Sequence, residues 1–309
     1  MDVKVDVIIP TLMPGQEFAD LLEALERQSV QPGRIIVMNT EEKYFERLKY
    51  GNQRMKKYSN VEVHHLSSRE FDHGNTRNNG VKKSGAPYFV CMTMDALPKD
   101  AFLLERLLEP LVAGDAAVSY ARQLPKPGCS PVESFIKQFN YPATSRLKGQ
   151  EDLEEMGIKT FFCSNACAAY DRSTFDALGG FIRHTIFNED MIYASRVVKA
   201  GKKIAYVAQA EVLHSHNYSW IENFHRNFDV GVSQADNPDV FRGIKSETEG
   251  IRLVKELTCH LKESGNSRLI LPMLWGSGWK FLGYRLGKHY TRLPQGFVRR
   301  CSMNRNYWQ

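Results

Sequence analysis

Two adjacent carboxylates, Glu189 and Asp190, follow Asn188 where a helical pattern begins. Acids in a first turn suit the positive end of a helix dipole, and Asn188 is a good N-cap residue. The same place suits a general base, because an Asp near its ordinary pKa of about 3.9 is ionised at neutral pH. Asp95 follows the apolar run PYFVCMT. A carboxylate there either meets a ligand at the carboxyl end of a buried strand or opens the turn before Pro98. His214 and His216 close the run AEVLHSH. Strand alternation would put both rings on one face, where they suit a divalent metal or a phosphate; surface histidines are the plain alternative. The segment EFDHGNTRNNG brings Asp72, His73, Gly74, Arg77 and Asn78 to a helix entrance. Such an entrance favours anions, and Gly74 would let the backbone approach a ligand. The alternative is a capped helix with solvated polar residues. Ser164 and Asn165 either face a substrate or are structural.

These residues need elements to hold them. VKVDVIIPT (3–11), RIIVMN (34–39), VEVHHL (61–66) and PYFVCMT (87–93) read as buried strands. Between them lie helical patterns at 16–28, 41–57 and 74–85. Strand and helix alternating predicts crossovers and a parallel sheet with helices on both faces. Beyond residue 116 the pattern is mixed. It has strands at 116–123 and 163–172, and KIAYV and AEVLHSH as separate strands. Helices are expected at 132–141, 189–200 and 219–235, with a boundary at Asn237-Pro238. The remainder reads as helical, chiefly 247–264 and 269–288. No GxxxxGK[ST], no GxGxxG after the first strand and no GxSxG occurs. Their absence argues against a P-loop NTPase, a dinucleotide oxidoreductase and an α/β-hydrolase.

The 309 residues are 42% hydrophobic and 25% charged, a globular composition. No run approaches 18 apolar residues, so no membrane-spanning helix is expected, and the first ten residues do not resemble a signal peptide. Cys91, Cys129, Cys163, Cys167, Cys259 and Cys301 show no metal spacing and read as reduced thiols of a cytosolic protein. The net charge of +6 is unevenly spread. Residues 266–309 hold eight Lys or Arg and no acid, which leaves 33 basic against 35 acidic residues before them. Aromatics interleave with those cations, a pattern suited to an anionic membrane surface or a nucleic acid. Leu271, Leu274, Trp275 and Leu282 alternatively serve as core against the rest of the chain.

Taken in order, VIIPT, FDHGNTRNNGV, TMDALP, YARQLP, FNYP, FCSNACAAYDRSTFDALGGF, NEDMIYASRVVKAGKKIAYV, AEVLHSHNYS and NFDVGV resemble bacterial rhamnosyltransferases of glycosyltransferase family 2. The tail GYRLGKHYTRLPQGFVRRCSMNRNYW is similar to the C-terminal end of the same group, so the resemblance spans nearly the whole chain.

The resemblance implies an α/β GT-A fold over residues 1–240, with a nucleotide half to about 123 and an acceptor half to 240. A helical, basic and aromatic region would follow at 241–309. It implies inverting transfer of L-rhamnose from dTDP-L-rhamnose to a hydroxyl of a lipid-linked cell-surface glycan precursor. Asp190 takes the place of the family base, with Glu189 orienting the acceptor or capping the helix. Asp95 and His214 would hold a divalent cation, Mn²⁺ or Mg²⁺, and His216 and Asn165 would face the diphosphate or acceptor. Pro10, Thr11, Asn39, Asp72, His73, Arg77 and Asp95 would meet the nucleotide sugar. The enzyme would sit in the cytoplasm against the inner face of the cell membrane, docked through the C-terminal region, with no nucleic-acid partner and with homo-oligomerisation left open. Two positions depart from the pattern. Thr93-Met94-Asp95 stands where many members have Asp-x-Asp, and Asn39 stands where an acid often reads the nucleotide. Another family 2 donor, such as UDP-galactofuranose or a UDP-hexosamine, is the alternative; a non-catalytic membrane- or nucleic-acid-binding protein is the remote one.

Overall fold

The structure, a computed structural model, describes residues 3–47, 58–242 and 246–309. One sheet organises it. Its strands are β1 (Val5–Leu12), β2 (Arg34–Thr40), β3 (Val61–Leu66), β4 (Tyr88–Met92), β5 (Leu97–Pro98), β6 (Val118–Leu124), β7 (Arg146–Lys148), β8 (Cys167–Asp171) and β9 (Ile204–Leu213). The order is β3-β2-β1-β4-β8-β6-β9-β5, with β7 also paired to β9. The first four strands in this order are parallel, as the strand–helix rhythm predicts. β8 runs antiparallel to both β4 and β6, which makes the second half mixed. The principal helices are α1 (Gln16–Glu26), α2 (His73–Lys83), α3 (Leu103–Val112), α4 (Pro131–Asn140), α5 (Glu189–Lys199), α6 (Trp220–Asp236), α7 (Ser246–Glu263), α8 (Ile270–Lys288) and α9 (Gln295–Cys301). Of the helix expected over 41–57, a short piece at Glu42–Glu46 is seen; residues 48–57 lie outside the described residues.

β1 shows why the sheet is covered twice. Val5, Val7 and Ile9 point into one core with Phe18, Leu21 and Leu25 of α1 and the leucines of α3. Ile8 points the other way, into a core with Val81 of α2 and Tyr193 and Val197 of α5. Strands buried on both faces read as continuous apolar runs, which is how the sequence reads.

Two local differences from expectation matter. KIAYV and AEVLHSH form one strand, β9, and its register against β6 jumps between Ala121, opposite Val207, and Arg122, opposite Glu211. The residues between make the run look broken in sequence. β9 also ends at Leu213, so His214 and His216 lie beyond it, not on one strand face.

The C-terminal helices pack on the rest of the chain. α6 and α8 approach so closely that a Cβ on Gly231, Gly283 or Gly287 would collide with backbone of the facing helix. Asp229 of α6 accepts hydrogen bonds from the backbone N–H groups of Met303 and Asn304 at 2.9 and 3.2 Å. His184 stacks on Tyr307 at 4.6 Å between ring centroids. Leu271, Leu274, Trp275 and Leu282 are exposed, not core, with Trp275 63% and Leu271 77% accessible. Other residues of α8, Met273 and Gly283 among them, face inward.

Candidate active site

The carboxyl ends of β1 and β4 open into a cleft of about 1170 Å³. Pro10, Thr11, His73, Arg77, Thr93, Asp95, Asn165, Glu189, Asp190, His214 and His216 all line it. The structure therefore brings most of the chemically suggestive residues of the sequence into one cavity.

Glu189 and Asp190 start α5, but Asn188 does not cap it with its side chain. Asn188 takes a left-handed backbone conformation, φ 63°, which Asn tolerates better than most residues. Its amide donates instead to Ser233 Oγ of α6 at 3.2 Å. Helix entry is thus fixed from outside the helix. Asp190 is half-buried. One of its oxygens accepts from the Asn165 backbone N–H at 2.9 Å and the other from its neighbour Met191 N–H at 2.8 Å. Burial pushes this carboxyl above the usual aspartate range, and the adjacent Glu189 charge adds to the effect. Glu189 is buried at 5% exposure and sits 3.1 Å from Arg77 Nη1. Burial alone would raise its pKa as well, but Arg77 and the Asn165 side chain hold it below the usual glutamate range. The pair is therefore differentiated. Glu189 is the charged partner of a buried ion pair, and Asp190 is the carboxyl turned to the cleft.

Asn165 ties the two together. Its backbone N–H meets Asp190, its side-chain N–H meets Glu189 at 3.0 Å, and its carbonyl oxygen accepts from Tyr170 at 2.6 Å. That is a holding role with every polar group of the side chain engaged.

The 70–80 segment proves to hold the same pair. Asp72 caps α2 through the Asn75 N–H at 2.6 Å, and its second oxygen accepts from the Thr185 N–H at 2.8 Å. It is absent from the cleft lining, contrary to its expected nucleotide contact. A Cβ on Gly74 would strike the Ile182 carbonyl, so this glycine admits protein backbone where a ligand was expected. Asn78 exchanges hydrogen bonds with the Phe181 backbone at 2.9 and 3.0 Å. Residues 181–187 are thus stitched to α2, and the stitches deliver Glu189 and Asp190. Arg77 is buried, donates to the His73 carbonyl at 2.8 Å and pairs with Glu189, while its Nε has no partner. His73 lines the cleft against Phe71 and Phe187.

At β1, Thr11 Oγ1 donates to Asn39 Oδ1 at 3.0 Å, and Asn39 Nδ2 lies 2.9 Å from His65 Nδ1. Asn39 is fully buried and does not line the cleft, so its place is behind Thr11, not beside a nucleotide.

The other pole is Asp95, His214 and His216. Asp95 Oδ2 lies 3.5 Å from Nε2 of each histidine, and the rings stand 4.7 Å apart and nearly perpendicular. One ligand atom from each residue lies within 4.8 Å of the others. Burial holds both histidines below the usual imidazole range, His216 at about 4, so their lone pairs are free of protons at neutral pH. His214 Nε2 is buried with no hydrogen-bond partner. A carboxylate, two neutral imidazoles and an orphaned nitrogen fit a divalent cation, with Mn²⁺ matching the mixed nitrogen and oxygen set. Thr93 stands where a second acid is common, and His216 sits close enough to take its place.

Gln123, Lys137, Tyr218, Arg226 and Lys280 also line the cleft and were not singled out from sequence. Their signal is weak because each is a lone polar residue on a separate element. Lys280 comes from α8, so the C-terminal region reaches the cavity.

A profile of glycosyl transferase family 2 matches residues 6–179. The O-antigen chain rhamnosyltransferase RfbN of Salmonella typhimurium is 38% identical, covering 99% of this chain and 96% of that protein. WbaN of Salmonella anatum, of the same description, is also 38% identical over 98% and 95%. Among solved structures, the mannosyltransferase PcManGT from Pyrobaculum calidifontis in complex with GDP-Man and Mn²⁺ aligns with a TM-score of 0.56, at 12% identity, over all of this chain and 85% of its own. S. aureus TarS 1-349 in complex with UDP aligns with a TM-score of 0.52, at 15% identity, over 94% and 91%.

Proposed function

The chain belongs to glycosyl transferase family 2 and has a GT-A fold, and on that premise we propose that it moves L-rhamnose from dTDP-L-rhamnose to a hydroxyl of a lipid-linked glycan precursor, with inversion. The observation that carries the catalytic part is the shared cleft, with a backbone-fixed carboxylate, Asp190, and the Asp95–His214–His216 pole on one cavity. Support for the donor sugar comes from the two Salmonella relatives at 38% identity.

Inverting transfer needs a base near the acceptor hydroxyl, on the face of the sugar away from the leaving group. Asp190 is assigned that role. Its raised pKa makes it a stronger base than an ordinary Asp, while the Asn165 and Met191 amides fix its direction. Glu189 acts through Arg77 and Asn165 to hold the helix start, and does not itself take the proton. Asp95, His214 and His216 would hold the divalent cation, with the diphosphate arriving from the side of Pro10, Thr11 and His73. A bound cation supplies positive charge where the diphosphate leaving group develops negative charge.

The exposed face of α8 gives the acceptor end a setting. Leu271, Leu274, Trp275 and Leu282 border a shallow apolar hollow in a segment without acids. Among the described residues no helix is long and apolar enough to cross a membrane. We assign this face to contact with an anionic membrane surface, where aromatic and aliphatic side chains insert and cations meet lipid charge. Trp275→Glu should weaken sedimentation with phosphatidylglycerol vesicles and leave turnover of a water-soluble acceptor near wild type. Unchanged vesicle binding would remove this assignment.

Mass spectrometry of products from a panel of nucleotide sugars, with lipid-linked acceptors and with or without Mn²⁺, tests the reading as a whole. A deoxyhexose added from dTDP-L-rhamnose is expected. Transfer from UDP-galactofuranose or a UDP-hexosamine alone would overturn the donor.

A further inference from the structure

We infer that Gln123 and Lys137 are positioning residues that fix the tautomer of His214 and so aim its Nε2 lone pair at the Asp95–His216 cluster. The inference rests on the metal reading of that cluster, and it concerns what makes His214 a ligand.

Gln123 lies on β6, 4% exposed, beside the cleft. An amide can be turned either way, and its neighbours must decide which end is oxygen. Lys137, on α4, places its ammonium 2.7 Å from one end. An ammonium only donates, so that end is Oε1. The other end, Nε2, then donates to Ser164 Oγ at 2.9 Å, which completes the amide. The same Oε1 lies 2.8 Å from His214 Nδ1. A carbonyl oxygen only accepts, so Nδ1 must carry the proton. In the neutral imidazole that binds metals, Nε2 is then bare. It is this Nε2 that is buried, lacks any hydrogen-bond partner and stands 3.5 Å from Asp95 Oδ2. Two acceptors facing each other in a buried site call for positive charge between them, which a bound divalent ion would supply.

Without Gln123 the opposite tautomer becomes favourable, since Nε2–H could then donate to Asp95. That hydrogen bond would leave Nε2 without a lone pair for a metal. Lys137 acts one step further back. It orients the amide and touches neither His214 nor Asp95 in any hydrogen bond of the structure. Partners that orient a metal-ligating histidine through its other nitrogen commonly set both tautomer and affinity.

The experiment uses the full chain with histidine labelled by ¹⁵N, without metal, and reads the His214 tautomer from long-range ¹H–¹⁵N correlations. His214→Asn assigns the signal. Wild type is expected as Nδ1–H. Gln123→Leu is expected to move to Nε2–H, Gln123→Glu to stay Nδ1–H because it still accepts, and Lys137→Met to give a mixture. Mn²⁺ titration followed by electron paramagnetic resonance should show roughly 10–100-fold weaker binding in Gln123→Leu and near-wild-type binding in Gln123→Glu. The dispersion of the same spectra reports whether each variant is folded, and Gln123→Glu keeps the comparison alive if Gln123→Leu is not. An Nε2–H wild type, or a folded Gln123→Leu with unchanged tautomer and Mn²⁺ affinity, overturns the inference. A wild type that is Nδ1–H yet binds no Mn²⁺ upholds the tautomer assignment and overturns the metal reading.

Discussion

The two poles of the cleft are built on opposite principles. At the base pole both carboxylates are satisfied. Asp190 has a backbone amide on each oxygen, Glu189 has Arg77 and Asn165, and Asn165 has Tyr170. At the metal pole something is missing, because His214 Nε2 is buried without a partner and Asp95 sits between two imidazoles 3.5 Å away. The first pole is organised by the protein alone and can act on whatever arrives. The second is completed only by a cation. The difference predicts that base-pole variants fail the same way at any Mn²⁺ concentration, while metal-pole variants fail in a way that added Mn²⁺ relieves.

Asp190→Asn should break the first pole most directly. It removes the proton acceptor with little change in shape, and kcat should fall by about 10²–10⁴-fold. Nucleotide binding, followed by calorimetry, should persist. His214→Ala should lower kcat/KM by roughly 10²-fold at low Mn²⁺, the scale of losing one group that stabilises leaving-group charge. Part of that loss should return as Mn²⁺ is raised; a variant indifferent to Mn²⁺ would erase the contrast between the poles. Arg77→Met strands Glu189 as a buried charge, so its cost should appear as stability, about 3–5 kcal/mol in denaturant unfolding. Little loss there would mean that the base pole is less dependent on its ion pair than the geometry implies.

The smallest effect is one of pH. Asp190 works ionised and its folded pKa is raised, so kcat/KM should fall as pH drops through a value above the ordinary aspartate pKa of about 3.9. The same shift has a sign for folding. A raised carboxyl destabilises the fold once pH climbs past the unfolded pKa, whereas Glu189, held low, contributes stability above its unfolded pKa of about 4.3 that is lost on acidification. An acid limb at or below the ordinary Asp value would contradict the environment described for Asp190.

What could be read from sequence follows from how local each signal is. β1 to β4 and α1 were legible because burial writes itself as apolar runs and helical spacing. Asp95, Asp190 and His214 were legible as residues of the right chemistry, in an order that resembles a known family. Their supports were not. The 70–80 segment read as an anion site, since a glycine at a helix start has no local sign of what it approaches. Only the fold reveals the Ile182 carbonyl at Gly74 and Thr185 at Asp72. Asn39 read as a nucleotide contact because the resemblance puts it where an acid often reads the nucleotide, yet Thr11 and His65 occupy its amide. Gln123 carried no signal, since its partners Lys137, Ser164 and His214 are far away in sequence.

The most direct measurement of the central claim is the anomeric configuration, by one-bond ¹³C–¹H coupling, of the glycoside formed from dTDP-L-rhamnose and a synthetic lipid-linked acceptor. A single base at Asp190 acting opposite the diphosphate predicts a rhamnoside of configuration inverted relative to the donor. A rhamnoside of retained configuration would contradict it.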